Sequence, residues 1–359
     1  MRDRVWTSTS AIIAGPSIGS PGMSIADAGL TPAEIAQSTV TAAKPQLPPG
    51  VVTEGPLVQA KLRESYLLLG ILYVGAVAGI IWAITQGVGK VELFTFAWMF
   101  ALTTFGIGAG MHRLFVHRSF RTGPIMRVFF CAIAQMAVQG SIAKWVANHR
   151  RHHLYADDVG DPHSPQFDGF GNRYVSAFKG FLHAQGSWVF DQATTDNEYY
   201  AKDILADPIA MFFVRTRWVW YGMSAVFIPG VVGYTFGGVH SMIGCVLFSG
   251  LLRAYLLILT SQLTGSVCHA YGYRRFEVDD ASTNEFVTTI LTFGEGLHNN
   301  HHRFPRDAYI SHAWWEIDLN GLIILGMEKI GLVHDVFHAS HRQLELASEA
   351  DAQAATTAR

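Results

Sequence analysis

The sequence predicts an all-α integral membrane protein with four spans and a metal site at one membrane face, and three observations carry that prediction. Half of the 359 residues are apolar and only 15% are charged, the balance of a membrane protein. Uncharged runs at residues 65–86, of 22 residues, and 93–111, of 19, are each long enough to cross a hydrocarbon core of ~30 Å at ~1.5 Å per residue. The histidines recur in close sets: HxxxxH at His112 and His117, then HxxHH at His149, His152 and His153, and HxxHH again at His298, His301 and His302.

Residues 1–60 are rich in Ala, Ser, Thr, Pro and Gly with few large apolar side chains. Such a segment buries too little surface to offset its ordering entropy, so disorder is expected there and again at 345–359. No cleavable signal is expected, because the apolar run at 11–15 is too short. The first two spans are expected at about 65–86 and 93–111. The next two fall at about 211–234 and 239–263, with Gly230, Gly233, Gly237 and Gly238 marking the turn between them.

The loop at 86–92 holds one cation, Lys90, and the turn at 234–239 holds none. By the positive-inside rule both termini and all three histidine sets are then cytoplasmic. Residues 128–143 are also uncharged, but 16 residues reach only ~24 Å at ~1.5 Å each. They read as an interfacial or partly buried helix, which keeps the first two histidine sets on one side. Arg253 lies inside the fourth span, where a structural pair with a neighbouring helix and a substrate contact are equal readings. Cys131, Cys245 and Cys268 match no disulfide or CxxC pattern.

On a helix, offsets of i, i+3 and i+4 place three imidazoles within about 100° of arc, which makes a ligand face. His112 and His117 are five apart and would lie about 140° apart on a straight helix. Either the helix ends or bends there, or the two bind different ions; an end is expected. Eight histidines exceed what one four-coordinate ion uses, so two metals are implied, and His269, at the cytoplasmic end of the fourth span, is placed as a ninth ligand. Imidazole alone does not name the metal.

A histidine site against apolar spans has access to fatty acyl chains, whose C–H bonds yield only to activated oxygen. The Glu-x-x-His pair occurs once, at Glu295 and His298, so the carboxylate-rich arrangement with two such motifs is not expected. Glu295 reads instead as a partner that orients an imidazole. Asp161 and His163 either support the site or belong to a turn. Seven cations from Arg113 to Arg151 with no acid before Asp157 suit lipid headgroups, substrate phosphates or an acidic electron donor equally. A zinc receptor or metal transporter would string ionisable groups through the membrane; here only His240 falls within the spans, near the far surface.

HRLFVH, WxxxHRRHH followed by DPH, and GEGLHNNHHRFP, with LLRAY and HAYGYRRF, resemble the membrane fatty acyl desaturases of the stearoyl-CoA (Δ9) type over about residues 61–336. The resemblance implies four spans in two hairpins beneath a cytosolic helical cap (112–210 and 264–344), within a desaturase domain of 61–344. It implies two iron ions held by His112, His117, His149, His152, His153, His269, His298, His301 and His302. It also implies O2 as co-substrate and a cis double bond introduced into a saturated acyl-CoA or acyl-lipid chain. No HPGG haem motif is found, so the expected donor is a separate cytochrome b5, ferredoxin or rubredoxin with its reductase. The setting implied is a bacterial inner membrane or an endoplasmic reticulum, without nucleic acid. Two positions depart from the family: Gly265 stands where relatives often have a metal-facing asparagine, and HAQGSW has Gln185 and Ser187 where relatives have histidine and glycine. A membrane di-iron hydroxylase is the neighbouring alternative.

Overall fold

A computed structural model describes residues 45–357. These residues are mostly helical, and among them three helical stretches are long and apolar enough to cross a membrane. They are α1 (Pro56–Gln86), α2 (Lys90–Val116) and the 53-residue stretch Arg217–His269. Between the second and third lie α3 (Pro124–Met136), α4 (Ile142–Tyr155), α5 (Ala177–Gln185) and α6 (Pro208–Arg215). Call Arg217–His269 α7; after it come α8 (Phe286–Leu291), α9 (His298–Arg303), α10 (Leu319–Lys329) and α11 (His341–Thr357).

The long stretch α7 is not one rod. Gly238 has φ 70° and ψ −162°, a left-handed conformation that glycine adopts without strain, and the chain reverses there. A side chain at Gly250 would collide with the carbonyl oxygen of Ala225, so the two arms lie backbone to backbone. That is how small residues let apolar helices pack closely without a hydrophobic driving force. Arg253, on the second arm, is fully buried. It donates to Ser249 O (3.2 Å), Thr103 Oγ1 (3.2 Å), Ser224 O (3.1 Å) and Ser224 Oγ (2.8 Å). It is therefore a bolt between α2 and both arms of α7. The three cysteines are free and buried.

Four expectations need correction. Of the N-terminal segment expected to be disordered, residues 1–44 lie outside the described residues, but Val51–Val52 pairs antiparallel with Thr194–Thr195 and α1 begins at Pro56. Of the tail expected to be disordered at 345–359, residues 345–357 belong to α11 and the last two lie outside the described residues. The apolar run at 128–143 splits: α3 ends at Met136, and positive φ at Val138 and Gly140 turns the chain before α4. At 13 residues α3 spans about 20 Å, so it does not separate the first two histidine sets.

The fourth concerns the first set. The helix does end near it, at Val116, but Gly106–Val116 first widens into a π-helix, and His117 N donates to His112 O at 3.1 Å, five residues back. An i→i+5 helix closes the angle that separates residues five apart on an α-helix. The His112 and His117 rings therefore come to 4.8 Å between centroids.

Candidate metal centre

Each nitrogen donor is placed by a short, well-anchored element. Helix α4 starts at Ser141, whose Oγ accepts from Lys144 N at 3.3 Å, a capping bond that satisfies one free amide. Two and more turns later it presents His149, His152 and His153. Helix α9 has only six residues, too few to be stable alone. The two asparagines of its HNNHH hold it. Asn299 Oδ1 accepts from Arg275 N and Phe276 N, both at 2.8 Å, and Asn300 Nδ2 donates to Ile310 O (2.9 Å) and Glu316 Oε2 (3.0 Å).

All nine expected histidines converge, in two groups whose donor atoms lie within 4.8 Å of one another. One group is His112, His117, His149, His153 and His301; the other is His152, His269, His298 and His302. Each HxxHH set therefore serves both groups rather than one. Its i and i+4 members go to one group and its i+3 member to the other.

Within the five-histidine group, His112 Nε2 and His301 Nε2 are 2.9 Å apart, His301 Nε2 and His153 Nε2 2.9 Å, and His153 Nε2 and His149 Nε2 3.1 Å. In the four-histidine group, His298 Nε2 and His269 Nε2 are 3.0 Å apart, and His152 Nε2 and His302 Nε2 3.3 Å. On the far side of several rings stands a carboxylate. Nδ1 of His152 faces Asp161 Oδ2 (3.0 Å), Nδ1 of His269 faces Asp157 Oδ2 (2.6 Å), and Nδ1 of His302 faces Asp280 Oδ2 (2.6 Å). His112 Nδ1 sits against Glu295 Oε2.

A carboxylate on Nδ1 fixes the proton there and leaves Nε2 a lone pair. His152 and His302 are both held this way and their Nε2 atoms meet at 3.3 Å; two lone pairs cannot hydrogen-bond to one another, so that convergence calls for a cation. His117 Nε2 is also buried without a partner. The donor set thus fits two first-row transition ions with imidazole ligands.

Protonation agrees. Burial, followed by the charge of neighbouring imidazoles, holds His117, His149, His153, His298, His301 and His302 well below the usual histidine range, so these rings are neutral near pH 7. Burial alone would raise Glu295, but Arg113 and His112 bring it down to about 2. Arg113 reaches Glu295 Oε1 at 3.2 Å and Asp318 Oδ1 at 3.0 Å, and Asn320 Nδ2 donates to Glu295 Oε1 at 2.9 Å. Glu295 is therefore the ring-orienting partner that its position suggested. Asp161 is another, and the His163 ring packs at a tilt against His152 with centroids 4.4 Å apart.

Asp157 and Asp280 were missed as partners of the centre. Asp157, four residues past the second HxxHH, was findable because ligating imidazoles need carboxylates and that loop holds them. Asp280 had no local cue. At the family departures, Ser266 Oγ turns away from the centre to Gln185 Oε1 (2.5 Å), while Gln185 Nε2 donates to Leu259 O (3.0 Å). Gln185 thus ties α5 to α7. The space before Gly265 is taken by the His163 ring, whose Nδ1 would lie 3.2 Å from a Cβ there.

Most of the cation-rich stretch is neutralised within the fold. Arg113 pairs with Glu295 and Asp318, Arg118 and Arg150 with Asp203, Arg121 with Asp335 and Arg127 with Asp207. A cavity of about 420 Å³ opens beside the histidines. His112, His149, His152 and His298 stand in its wall, Leu68, Ile107, Val138 and Leu257 line its length, and Lys61, Glu64 and Arg217 lie further along. It is a slot for a flexible apolar ligand with a polar end.

Residues 91–320 match the model of the fatty acid desaturase family. A hex-5-enoyl-(acyl-carrier protein) acetylenase of Moorena producens (strain JHB) is 34% identical over 287 residues, covering 79% of this chain and 88% of that protein. An acyl-CoA 5-desaturase of Anemone leveillei is 32% identical over 68% of this chain and 73% of its own length. An sn-1 stearoyl-lipid 9-desaturase of Anabaena variabilis is 32% identical over 66% of this chain and 80% of its own. With its histidine groups, its apolar helices and a match over most of its length, this chain belongs to the fatty acid desaturase family.

Proposed function

We propose that the chain is an O2-dependent acyl desaturase that introduces a cis double bond, at Δ9, into a saturated acyl chain held in the cavity beside the histidines. The observation that supports this reading is the wall shared by the cavity and both histidine groups. A chain threaded past Ile107 and Leu257 would pass His112, His149, His152 and His298. The nine histidines are its ligands for two iron ions, which supply the oxidising power to remove two hydrogens with O2 and two external electrons.

The protein's own part is positional. Asp157, Asp161, Asp280 and Glu295 fix ring orientation and, by holding the proton on Nδ1, keep each Nε2 unprotonated. Trp145 stacks on His149 at 4.9 Å with 15° between planes, holding that ring where no carboxylate does. The apolar cavity wall excludes water and restricts which carbons reach the centre, so regiochemistry follows from the distance between the polar end and the histidines. The Δ9 assignment rests on the stearoyl-type motifs and on the 9-desaturase relative.

In a membrane, α1, α2 and the two arms of α7 make four crossings, with the termini and the histidines on the cytoplasmic side. The acyl carrier is CoA or a membrane lipid, and the donor is a separate electron-transfer protein of the cytochrome b5, ferredoxin or rubredoxin class.

The test is expression with a compatible reductase in a host lacking its own desaturase, followed by mass spectrometry with double-bond localisation. A new Δ9 monounsaturated acid, absent with His301→Ala, is expected. A double bond at another position refutes Δ9, an alkyne aligns the chain with its acetylenase relative, and a hydroxylated lipid replaces the reading with a hydroxylase.

A further inference from the structure

Two short helices beside the metal centre are apolar on the side that faces away from the protein. On α10, Leu319, Leu322 and Ile323 are exposed, as is Ile330 just past its end. Offsets of three, four and eleven place these four in one stripe along a helix. The opposite side, Asn320, Gly321, Ile324 and Met327, is buried, and the only charges on α10, Glu328 and Lys329, stand at its last turn. On α8, Phe286, Val287 and Ile290 are exposed while Thr288 and Thr289 are buried, the reverse of a helix that meets water.

The two stripes are neighbours. Asn320 N donates to Phe293 O at 2.9 Å, and Asn320 Nδ2 donates to Thr292 O at 3.2 Å, which ties the start of α10 to the end of α8. Trp314, 96% exposed, and Trp315 stand on the chain that leads into α10. The Trp315 ring is held in place by Tyr273, 5.1 Å away between centroids, and by the Arg275 guanidinium, 5.9 Å from its centroid. Single exposed apolar side chains need no explanation, but a contiguous set marks a contact surface.

What covers this surface follows from where it lies. Helix α8 packs against residues 253–266 of α7, and α10 packs against residues 106–116 of α2. These are the ends of the membrane-crossing stretches that lead to His269 and carry His112. The apolar set therefore begins where those stretches reach the histidines, and it continues their apolar surface sideways. Tryptophan suits the border between hydrocarbon and water. Residues 304–317 form no helix or strand, and irregular backbone facing lipid is not tolerated in the hydrocarbon core, so the contact is shallow.

We propose that α8 and α10, with Trp314 and Trp315, lie in the leaflet on the histidine side of the membrane, their outer faces at the boundary between headgroups and acyl chains. The proposal rests on the membrane crossings proposed above and is independent of the reaction catalysed. It seats the metal centre on the bilayer through two helices that also serve the site. Leu291 and Thr292, at and just past the end of α8, stand in the wall of the acyl cavity. Asn320 on α10 donates to Glu295, the carboxylate set against His112.

The test uses the metal-loaded full chain in phospholipid nanodiscs, with a polarity-sensitive fluorophore on one introduced cysteine; the three native cysteines are buried. Leu322→Cys and Val287→Cys probe the surface, Val74→Cys on the exposed side of α1 is the lipid control, and the exposed Glu277→Cys is the water control. Labels at 322 and 287 should be quenched by nitroxide-bearing phospholipid and be several-fold less accessible to iodide than the label at 277, as at 74. Quenching by iodide equal to that at 277 overturns the proposal. So does shielding from both quenchers, which would mean that a second copy or another protein covers the surface. Iodide access at 74 as well would overturn the crossings too, whereas protection at 74 alone confines the failure to α8 and α10. If a cysteine variant does not fold, the unaltered chain in discs of photoactivatable acyl lipid decides: adducts within 286–290 and 314–330 support the surface, and their absence refutes it.

Discussion

The two histidine groups are built differently. In the four-histidine group three rings have a carboxylate on Nδ1, from Asp161, Asp157 and Asp280. In the five-histidine group one ring does, through Glu295, and another is held by stacking on Trp145. The four-histidine rings are oriented chiefly by carboxylates, and the five-histidine rings have fewer such partners. Carboxylate support raises ligand basicity as well as fixing ring angle, so the two ions should be spectroscopically distinct and should leave at different chelator concentrations.

The largest expected effect comes from His301, whose Nε2 meets those of both His112 and His153. His301→Ala should lose at least half of the bound metal and all product, measured by metal analysis and fatty-acid profile on the same preparation; full metal content would remove His301 from the ligand set. Next come the carboxylates. Asp157→Ala and Asp280→Ala should weaken metal binding about 10- to 100-fold and alter one spectroscopic component only, that of the four-histidine group. Glu295→Ala should alter the other. Equal disturbance of both components by any one of the three would break the comparison.

A smaller effect is expected from pH on the metal-free protein. His149, His153, His298, His301 and His302 are held below the usual histidine value by burial and by neighbouring imidazoles. The unfolded chain takes up protons as pH falls through about 6.5, while the folded chain resists until its own lower values are reached. The contribution to stability is therefore complete above about 6.5 and is lost as pH falls below it. Thermal unfolding of apo protein should show a level Tm near neutrality and a decline on acidification; a rise would contradict the neutral, buried imidazoles. The smallest effect is away from the centre. Gln185→Leu removes the clip between α5 and α7 and should cost about 1 kcal/mol without changing metal content.

The histidines were legible in the sequence because their spacing is local and helical geometry converts spacing into direction. Even the split of each HxxHH between two groups follows from it: i and i+4 differ by about 40° on an α-helix, while i+3 falls about 60° to the other side of i. How His112 meets His117 was not legible: an end or bend of the helix was expected, and the π-helix through Gly106–Val116, which changes the angle per residue, was not. Asp280 was hidden because its partner His302 is 22 residues away and the chain between them folds back. Arg113 and Arg127 read as a cationic surface in sequence, yet their acids, Asp318 and Asp207, come from distant segments.

The reversal of α7 was readable as a glycine cluster, and Gly238 is where it occurs. The ordered tail was not readable, since α11 is polar in composition and composition alone had argued for disorder.

The most direct test of two unequal metal sites is Mössbauer spectroscopy of the purified chain loaded with 57Fe, with iron and protein quantified together. Two quadrupole doublets of equal area, of which Asp157→Ala shifts only one, are the predicted result. A single doublet that accounts for all the iron, or a chain that retains zinc and no iron, would contradict it.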